Sequence, residues 1–434
     1  MTPCCAARAA AALQGDHVAT FDCVKRAPGV SKRAPSGAVC MPTPLISGPF
    51  ARVTLANFFF FLNFASFFLL PLYVRAFGGS ETTVGAVMGT TSAASLLVVP
   101  LIGMALDRFG RRRFLVLGTT GMTAAALGFL FVDRIGVAVY ALRVLQGLCF
   151  AAAFTAATTL AAELAPRDRR AEALGVFGVS TLLTHALAPG LGEELIQRAG
   201  FHALFGVAAA CTAVPLLLLP GVPARRLHPG ARTHVPWRVS RQQAVVISTM
   251  TLAGMGFGCV MTFIPTYVRD AGLGRVAFFY GAYSTVAVLT RVFGAQVSDS
   301  FGRRAVILPT LFALAVSICA LAFVRNVPVL VAVGVLFGAA QGISYPTLHA
   351  YLVDLTPEAQ LGRAQALFNG AFNLGTMSSA FLFGAVADWL GQRPMFMLAA
   401  LTPLAACCFF YVFGVAGEHV TAAGAALPSA DVAP

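Results

Sequence analysis

An arginine interrupts a long apolar stretch, in the run Arg143-Val-Leu-Gln-Gly147. A guanidinium inside hydrocarbon costs about 2.5–3.5 kcal/mol unless it is paired or meets water, so its retention points to charge recognition or ion handling. Gln146 shares its helical face. A structural arginine, paired to Glu163 or to a backbone carbonyl, is the other reading. Arg291 is a second cation of this kind, seven residues after Ser284 and eight before Asp299, and it either lines an aqueous chamber or snorkels to the nearby interface. Polar side chains recur at i, i+4 spacing in the same apolar surroundings: Thr181 with His185, Gln341 with Tyr345 and His349, and Asn369 with Asn373; Asn57 and Asn63 stand in a further stretch. Single polar groups on an apolar wall orient a bound organic molecule, while each amide serves equally as an interhelical clamp of about 0.6 kcal/mol. Two arginines with histidines and amides suit a neutral or anionic molecule, and the apolar stretch holding Asn57 has no acid to receive a cation. Glu193, Glu194, His185, His349 and Asp388 are the titratable candidates for carrying a proton. No catalytic site is expected; four of the ten cysteines lie in the first 40 residues and the other six, within apolar spans, show no metal-type spacing, and no phosphate-binding Gly-x-x-x-x-Gly-Lys-Ser/Thr loop occurs. Neither a metal nor a cofactor is expected.

The elements that hold these groups are set by composition. Hydrophobic residues make up 58% of the chain and charged ones 11%, with a mean hydropathy of +0.80, so most of it is solvated by lipid. Apolar runs predict twelve helical spans, near 51–74, 82–106, 114–132, 136–162, 171–196 and 202–220, then 244–268, 276–298, 305–324, 328–353, 364–390 and 394–415. With the N-terminus inside, the inner segments hold 21 of the 30 basic residues and the outer loops seven, which predicts both termini cytoplasmic in a multi-pass protein of the cell (inner) membrane. The formal charge of +13 then reflects topology and anionic lipid headgroups, with no nucleic-acid role. Residues 1–45 read as a disordered cytoplasmic tail, with Met41 an alternative start; 46–220 and 244–415 as two six-helix bundles; 221–243 as a basic, Pro-rich cytoplasmic linker; and 416–434 as a cytoplasmic tail. The fold class expected is an all-α membrane protein of two pseudo-symmetric six-helix bundles.

The halves repeat in detail. Gly103-Met-Ala-Leu-Asp-Arg-Phe-Gly-Arg-Arg-Arg113 returns as Gly294-Ala-Gln-Val-Ser-Asp-Ser-Phe-Gly-Arg-Arg304, with Asp107 to Asp299 and Gly110 to Gly302 both 192 residues apart. Glu163-Leu-Ala-Pro166 with Arg170-Ala-Glu-Ala-Leu174 parallels Asp354-Leu-Thr-Pro357 with Arg363-Ala-Gln-Ala-Leu367, and Gln146-Gly147 parallels Gln341-Gly342. In physical terms Gly103 and Gly294 permit close helix approach, Asp107 and Asp299 place a carboxylate where it can meet a neighbouring helix N-terminus, and Gly110 and Gly302 allow a tight reversal. A short basic loop serving orientation alone is the plainer reading.

The doubled loop resembles the signature between helices 2 and 3, and helices 8 and 9, of the major facilitator superfamily, and the resemblance covers residues 46–415. It implies a secondary transporter whose bundles rock around a central site. It implies a cytoplasmic latch in the outward-facing state, formed by Gly103, Asp107, Arg108, Gly110, Arg111 and Arg112 and more weakly by Gly294, Asp299, Gly302 and Arg303, since Ser300 stands where the family usually has arginine. Arg143, Gln146 and Gly147 resemble the helix 4 motif tied to ion coupling or substrate charge. Ala188-Pro-Gly-Leu-Gly192 resembles the helix 5 motif of proton-driven exporters, with alanine for its first glycine, and carries a sealing role onto Pro189, Gly190 and Gly192. The expectation is a monomer exporting a small organic solute in exchange for protons. The alternatives are a symporter taking up a sugar, carboxylate or similar nutrient and, more remotely, a membrane sensor without transport.

Overall fold

The computed structural model describes residues 47–166, 169–222, 239–293, 301–357 and 360–414. The expected tails at 1–45 and 416–434, Met41, most of the 221–243 linker, and Gly294 and Asp299 lie outside the described residues. In chain order the helices are α1 Gly48–Ala76, α2 Glu81–Phe109, α3 Arg111–Phe131 and α4 Val137–Leu164. Next comes Arg170–Leu218, 49 residues long, which at 1.5 Å per residue is roughly 73 Å, more than twice a ~30 Å hydrocarbon core. Gly200 divides it, with φ 77° and ψ −178°, into α5 (170–199) and α6 (201–218). The second half has α7 Arg241–Asp270, α8 Ala277–Phe293, α9 Arg303–Leu321, α10 Val327–Asp354, α11 Leu361–Leu390 and α12 Gln392–Gly414. Ten helical stretches are long and apolar enough to cross a membrane; the division at Gly200 makes one of them two, and the 17-residue α8 brings the set to the expected twelve.

Local chemistry explains where helices begin and turn. Ser47, Ser80 and Asn326 accept from the backbone N–H of Phe50, Thr83 and Val329, and Ser240 forms a reciprocal capping box with Gln243. Between α2 and α3 the only residue is Gly110, at φ 90°, and its counterpart Gly302 has φ 83°. A Cβ is disfavoured in that left-handed region, so the reversal requires glycine.

Lipid provides no hydrophobic drive for helices to associate, so small residues and interhelical hydrogen bonds hold them together. In the first half α1 packs on α5 and α6, α2 on α4, and α3 on α4 and α6; in the second α7 packs on α11 and α12, α8 on α10, and α9 on α10 and α12. A methyl on Gly147 would run into the Thr91 carbonyl of α2, and one on Gly342 would meet Thr290 and Ala287 of α8. The repeated Gln-Gly pair therefore marks the same close crossing in each half. Tyr73 donates to the Val132 carbonyl at 2.5 Å and Tyr267 to the Leu321 carbonyl at 2.8 Å, another matched pair.

Candidate functional site

The halves meet where α2 packs on α11 and α5 on α8. At one end of this seam, the outer end in the orientation expected from charge, two carboxylates cap two helix N-termini. Glu193 of α5 accepts from the backbone N–H of Val276 and Ala277 at the head of α8, both at 2.9 Å. Asp388 of α11 accepts from Glu81 and Thr82 at the head of α2, both at 2.8 Å. The acids are 195 residues apart, as are their donors, so the two caps are one contact repeated by pseudo-symmetry. A carboxylate there satisfies free N–H groups and the positive end of the helix dipole together. Buried Glu81 adds a network across the same end, accepting from Thr266 of α7 at 3.2 Å and from Gln392 of α12 at 2.9 Å, while Arg75 pairs with Asp270 at 3.3 Å. Glu194, adjacent to the α5 cap, pairs with Arg275 at 2.9 Å.

Contact continues along α2 and α11 from Glu81 and Gly384 to Ser92 and Thr376. Further along, a Cβ on Gly370 of α11 would lie 3.8 Å from Leu96 of α2, and near the end of α2 a Cβ on the exposed Gly103 would meet nothing within 4 Å. The seam is thus closed by the caps at one end.

Between these ends lies a ring of aromatic and polar groups drawn from both halves. His185 of α5 sits edge-on to Phe68 of α1 at 5.0 Å and stacks on Tyr283 of α8 at 6.2 Å. Phe257 of α7 joins Tyr283 to Phe372 of α11, at 6.4 and 5.3 Å, and Phe372 touches Tyr345 of α10 at 5.5 Å. The Arg291 guanidinium lies over the Tyr345 ring at 5.9 Å, and a Cβ on Gly178 of α5 would come within 3.3 Å of its Nη1. Arg291 therefore reaches from the second half across to the first. Tyr345 donates to Asn369 at 3.4 Å, and His349 bonds Gln365 at 2.6 Å one turn further on. Gln341 is buried on α10, and Asn373 is half-buried on α11.

Other expected site residues are used inside one half. Arg143 is 4% exposed; its Nε donates to the Val87 carbonyl at 3.1 Å, its Nη1 to Gln146 at 2.8 Å, and its Nη2 lies 3.5 Å from the Met88 sulfur. Glu163, considered as its partner, pairs with Arg111 at 2.9 Å. Asn57 donates to Ser180 at 3.1 Å and Thr181 at 2.9 Å, joining α1 to α5, and Asn63 donates to the Ala208 carbonyl of α6 at 2.7 Å. Gly192 lets Leu69 and Leu204 close on α5, and Gly190 faces Ala277 across the seam next to the Glu193 cap; Pro189 lies inside α5 in the same segment. In the signature loops Arg108 is exposed and Arg112 half-buried, and Arg303 pairs with Asp354 as Arg111 pairs with Glu163.

Glu193 and Asp388 stand in the sequence as titratable candidates, and nothing in their local context shows that they cap helices of the other half. The shared offset of 195 between Glu193 and Asp388 was the available signal. Glu163 and Asp354, landmarks of the repeat, are each the acid to a loop arginine. Of the aromatic members of the ring only His185 and Tyr345 carried a signal, through their spacing; Phe68, Phe257 and Phe372 did not, since phenylalanine is abundant throughout the chain.

A family model described as Major Facilitator Superfamily matches residues 53–300 and again residues 247–433. The chain is 24% identical over 342 residues to a multi-drug resistance efflux pump PmrA homolog of Lactococcus lactis, covering 75% of this chain and 84% of that one. It is 22% identical to the staphylopine export protein of Staphylococcus aureus, covering 81% and 93%. Among solved structures it resembles the nucleoside transporter NupG, with TM-score 0.72 and 13% identity over 84% of this chain and 99% of that one. It also resembles the human organic anion transporter MFSD10, with TM-score 0.65 and 17% identity over 83% and 98%. Identities this low make the structural likeness a statement about fold alone. Two matches of one family model, each taking in a half with its own copy of the loop, accord with the doubled architecture, and the chain belongs to the Major Facilitator Superfamily.

Proposed function

We propose that this membrane transporter exports a small organic solute, neutral or anionic, in exchange for protons, by alternating access to the ring at the seam. The observation that carries the reading is the seam itself: groups from α1, α5, α7, α8, α10 and α11 converge there, shut off at the capped end. Export is favoured over uptake by the efflux pump and export protein whose lengths it largely covers, together with the Pro-Gly segment of α5. Arg143 and Gln146 are proposed as the coupling pair, because a guanidinium held by neutral acceptors keeps its charge unneutralised beside α2.

Proton exchange is assigned to the caps. A proton on Glu193 or Asp388 removes the charge from two backbone hydrogen bonds and from the helix dipole, loosening the outer seal. Arg275 and Glu194 stand nearest the first cap, and Arg75, Glu81 and Asp270 nearest the second. When the outer end parts, the loops around Asp107 and Gly103 are proposed to latch the inner end. A monomer is proposed, since every group named above comes from one chain.

The test uses the solute that a strain lacking this protein fails to export. Inverted membrane vesicles energised by a proton gradient should accumulate it, and accumulation only in right-side-out vesicles would reverse the direction.

A further inference from the structure

Two polar side chains of the ring, and Ser284 on the α8 face that carries Arg291, have hydrogen-bonding capacity that the protein does not use. Both ring nitrogens of His185 are buried without a partner, the Oγ of Ser284 is likewise unpaired, and so is the Nε of Arg291. His185 is 9% exposed and Ser284 1%. Among the described residues no carboxylate pairs with Arg291; the seam acids are all committed at the outer end. Buried donors and charges are normally satisfied, and these exceptions all lie on the two helices, α5 and α8, that pack across the seam.

Arg143 makes the contrast clear. Its guanidinium is bonded to a carbonyl, an amide and a thioether within its own half. That of Arg291 rests on a tyrosine ring and crosses between the halves. One arginine is engaged by the protein, and the other is presented.

Spacing gives the shape of what is received. Arg291 is seven residues beyond Ser284 on α8, and its tip lies near Gly178, seven residues before His185 on the antiparallel α5. Both helices thus set the imidazole and hydroxyl roughly 10 Å along the seam from the level of the cation. Phe257, Tyr283 and Tyr345 provide ring faces between and around them. A planar fork favours a carboxylate by two parallel hydrogen bonds, flat apolar walls favour an aromatic body, and the His185–Ser284 end favours a hydroxyl that both donates and accepts.

We propose that this site binds a hydroxylated aryl carboxylate: the carboxylate on Arg291, the ring among the seam aromatics, the hydroxyl at His185 and Ser284. The inference rests on the seam being the substrate site. It excludes organic cations, which would bring a second positive charge beside an unneutralised guanidinium.

Equilibrium binding to the purified full chain in detergent, with no gradient present, tests it with radiolabelled 3-(4-hydroxyphenyl)propionate, its amide, and 3-phenylpropionate. The acid should bind at least ~10-fold more tightly than the amide, and removal of the hydroxyl should weaken binding ~3-fold or more. Arg291→Gln should abolish the acid-over-amide preference, with Arg291→Lys intermediate, while Ser284→Ala and His185→Phe should abolish only the hydroxyl preference. Equal binding of acid and amide by the unmodified protein, or no saturable binding of the acid, overturns the proposal without any variant. So does an acid preference that survives in Arg291→Gln. The outcomes separate the two readings: acid-selective binding without proton-driven accumulation in inverted vesicles would sink the export reading alone, and proton-driven export of a solute that ignores Arg291 would sink this one alone.

Discussion

Replacing Glu193 with glutamine keeps the size of the side chain and removes its charge from the head of α8. Its two oxygens accept from Val276 and Ala277 at 2.9 Å each. A hydrogen bond to a charged group contributes about 1.5–3 kcal/mol, and an anion at a helix N-terminus a further 0.3–1 kcal/mol or so. The carboxamide retains one acceptor and turns an NH2 toward the second donor. Because the side chain is only half-buried, solvent screening reduces the loss to about 1.5 kcal/mol, a ~10-fold shift toward the parted seam. Hydrogen–deuterium exchange reads this directly, since the amides at 276 and 277 exchange when the cap breaks. Peptides covering 271–281 should exchange ~10-fold faster in Glu193→Gln. The sharper consequence concerns the other cap: if both break in one rigid-body motion, peptides covering 80–84, whose amides are held by Asp388, should also speed up although nothing near them has changed. Acceleration confined to 271–281 would mean a local helix cap, and the twin-cap gate would be refuted. Asp388→Asn should act in the same direction but more weakly, because Asp388 is exposed.

Further outcomes follow from the same geometry. Arg143→Ala should insert and fold yet lose transport in vesicles, and normal flux would remove it from the coupling mechanism. Gly103→Leu should leave the thermal midpoint unchanged, since its Cβ position is open, but block transport by obstructing the opposite state; full activity would show that α2 never closes there. Glu163→Gln should destabilise the protein measurably, by about 3 kcal/mol as for one half of a buried pair, because Arg111 is 6% exposed. Asp354→Asn, whose ion pair is more exposed, should cost less than about 1 kcal/mol, and equal shifts in denaturation midpoint would contradict the burial argument.

Much of this was legible from one dimension. Apolar runs set the twelve spans because a helix in lipid must satisfy its backbone internally, and the expected gap between 171–196 and 202–220 is where Gly200 breaks the Arg170–Leu218 stretch. The turns at Gly110 and Gly302 follow from the glycine itself. The same face-sharing that put Gln146 beside Arg143 produced the hydrogen bond observed between them. Periodicity indicates which side chains share a face but not which helix that face meets. Asn57, Asn63 and Asn369 therefore looked equivalent, whereas the first two hold α1 to α5 and α6 and the third stands beside Tyr345 in the ring.

What the amino-acid order determined on its own was a doubled, lipid-embedded helical chain with two glycine-hinged basic loops, because hydropathy, chirality and charge act over a few residues at a time. What only the tertiary structure decided was pairing: that Glu163 belongs to Arg111, that Glu193 and Asp388 cap two helices at one end of one seam, and that Arg291 crosses to the other half with no carboxylate partner among the described residues. Each is a contact between helices far apart in the chain, and it exists only because packing of small residues fixes which surfaces touch.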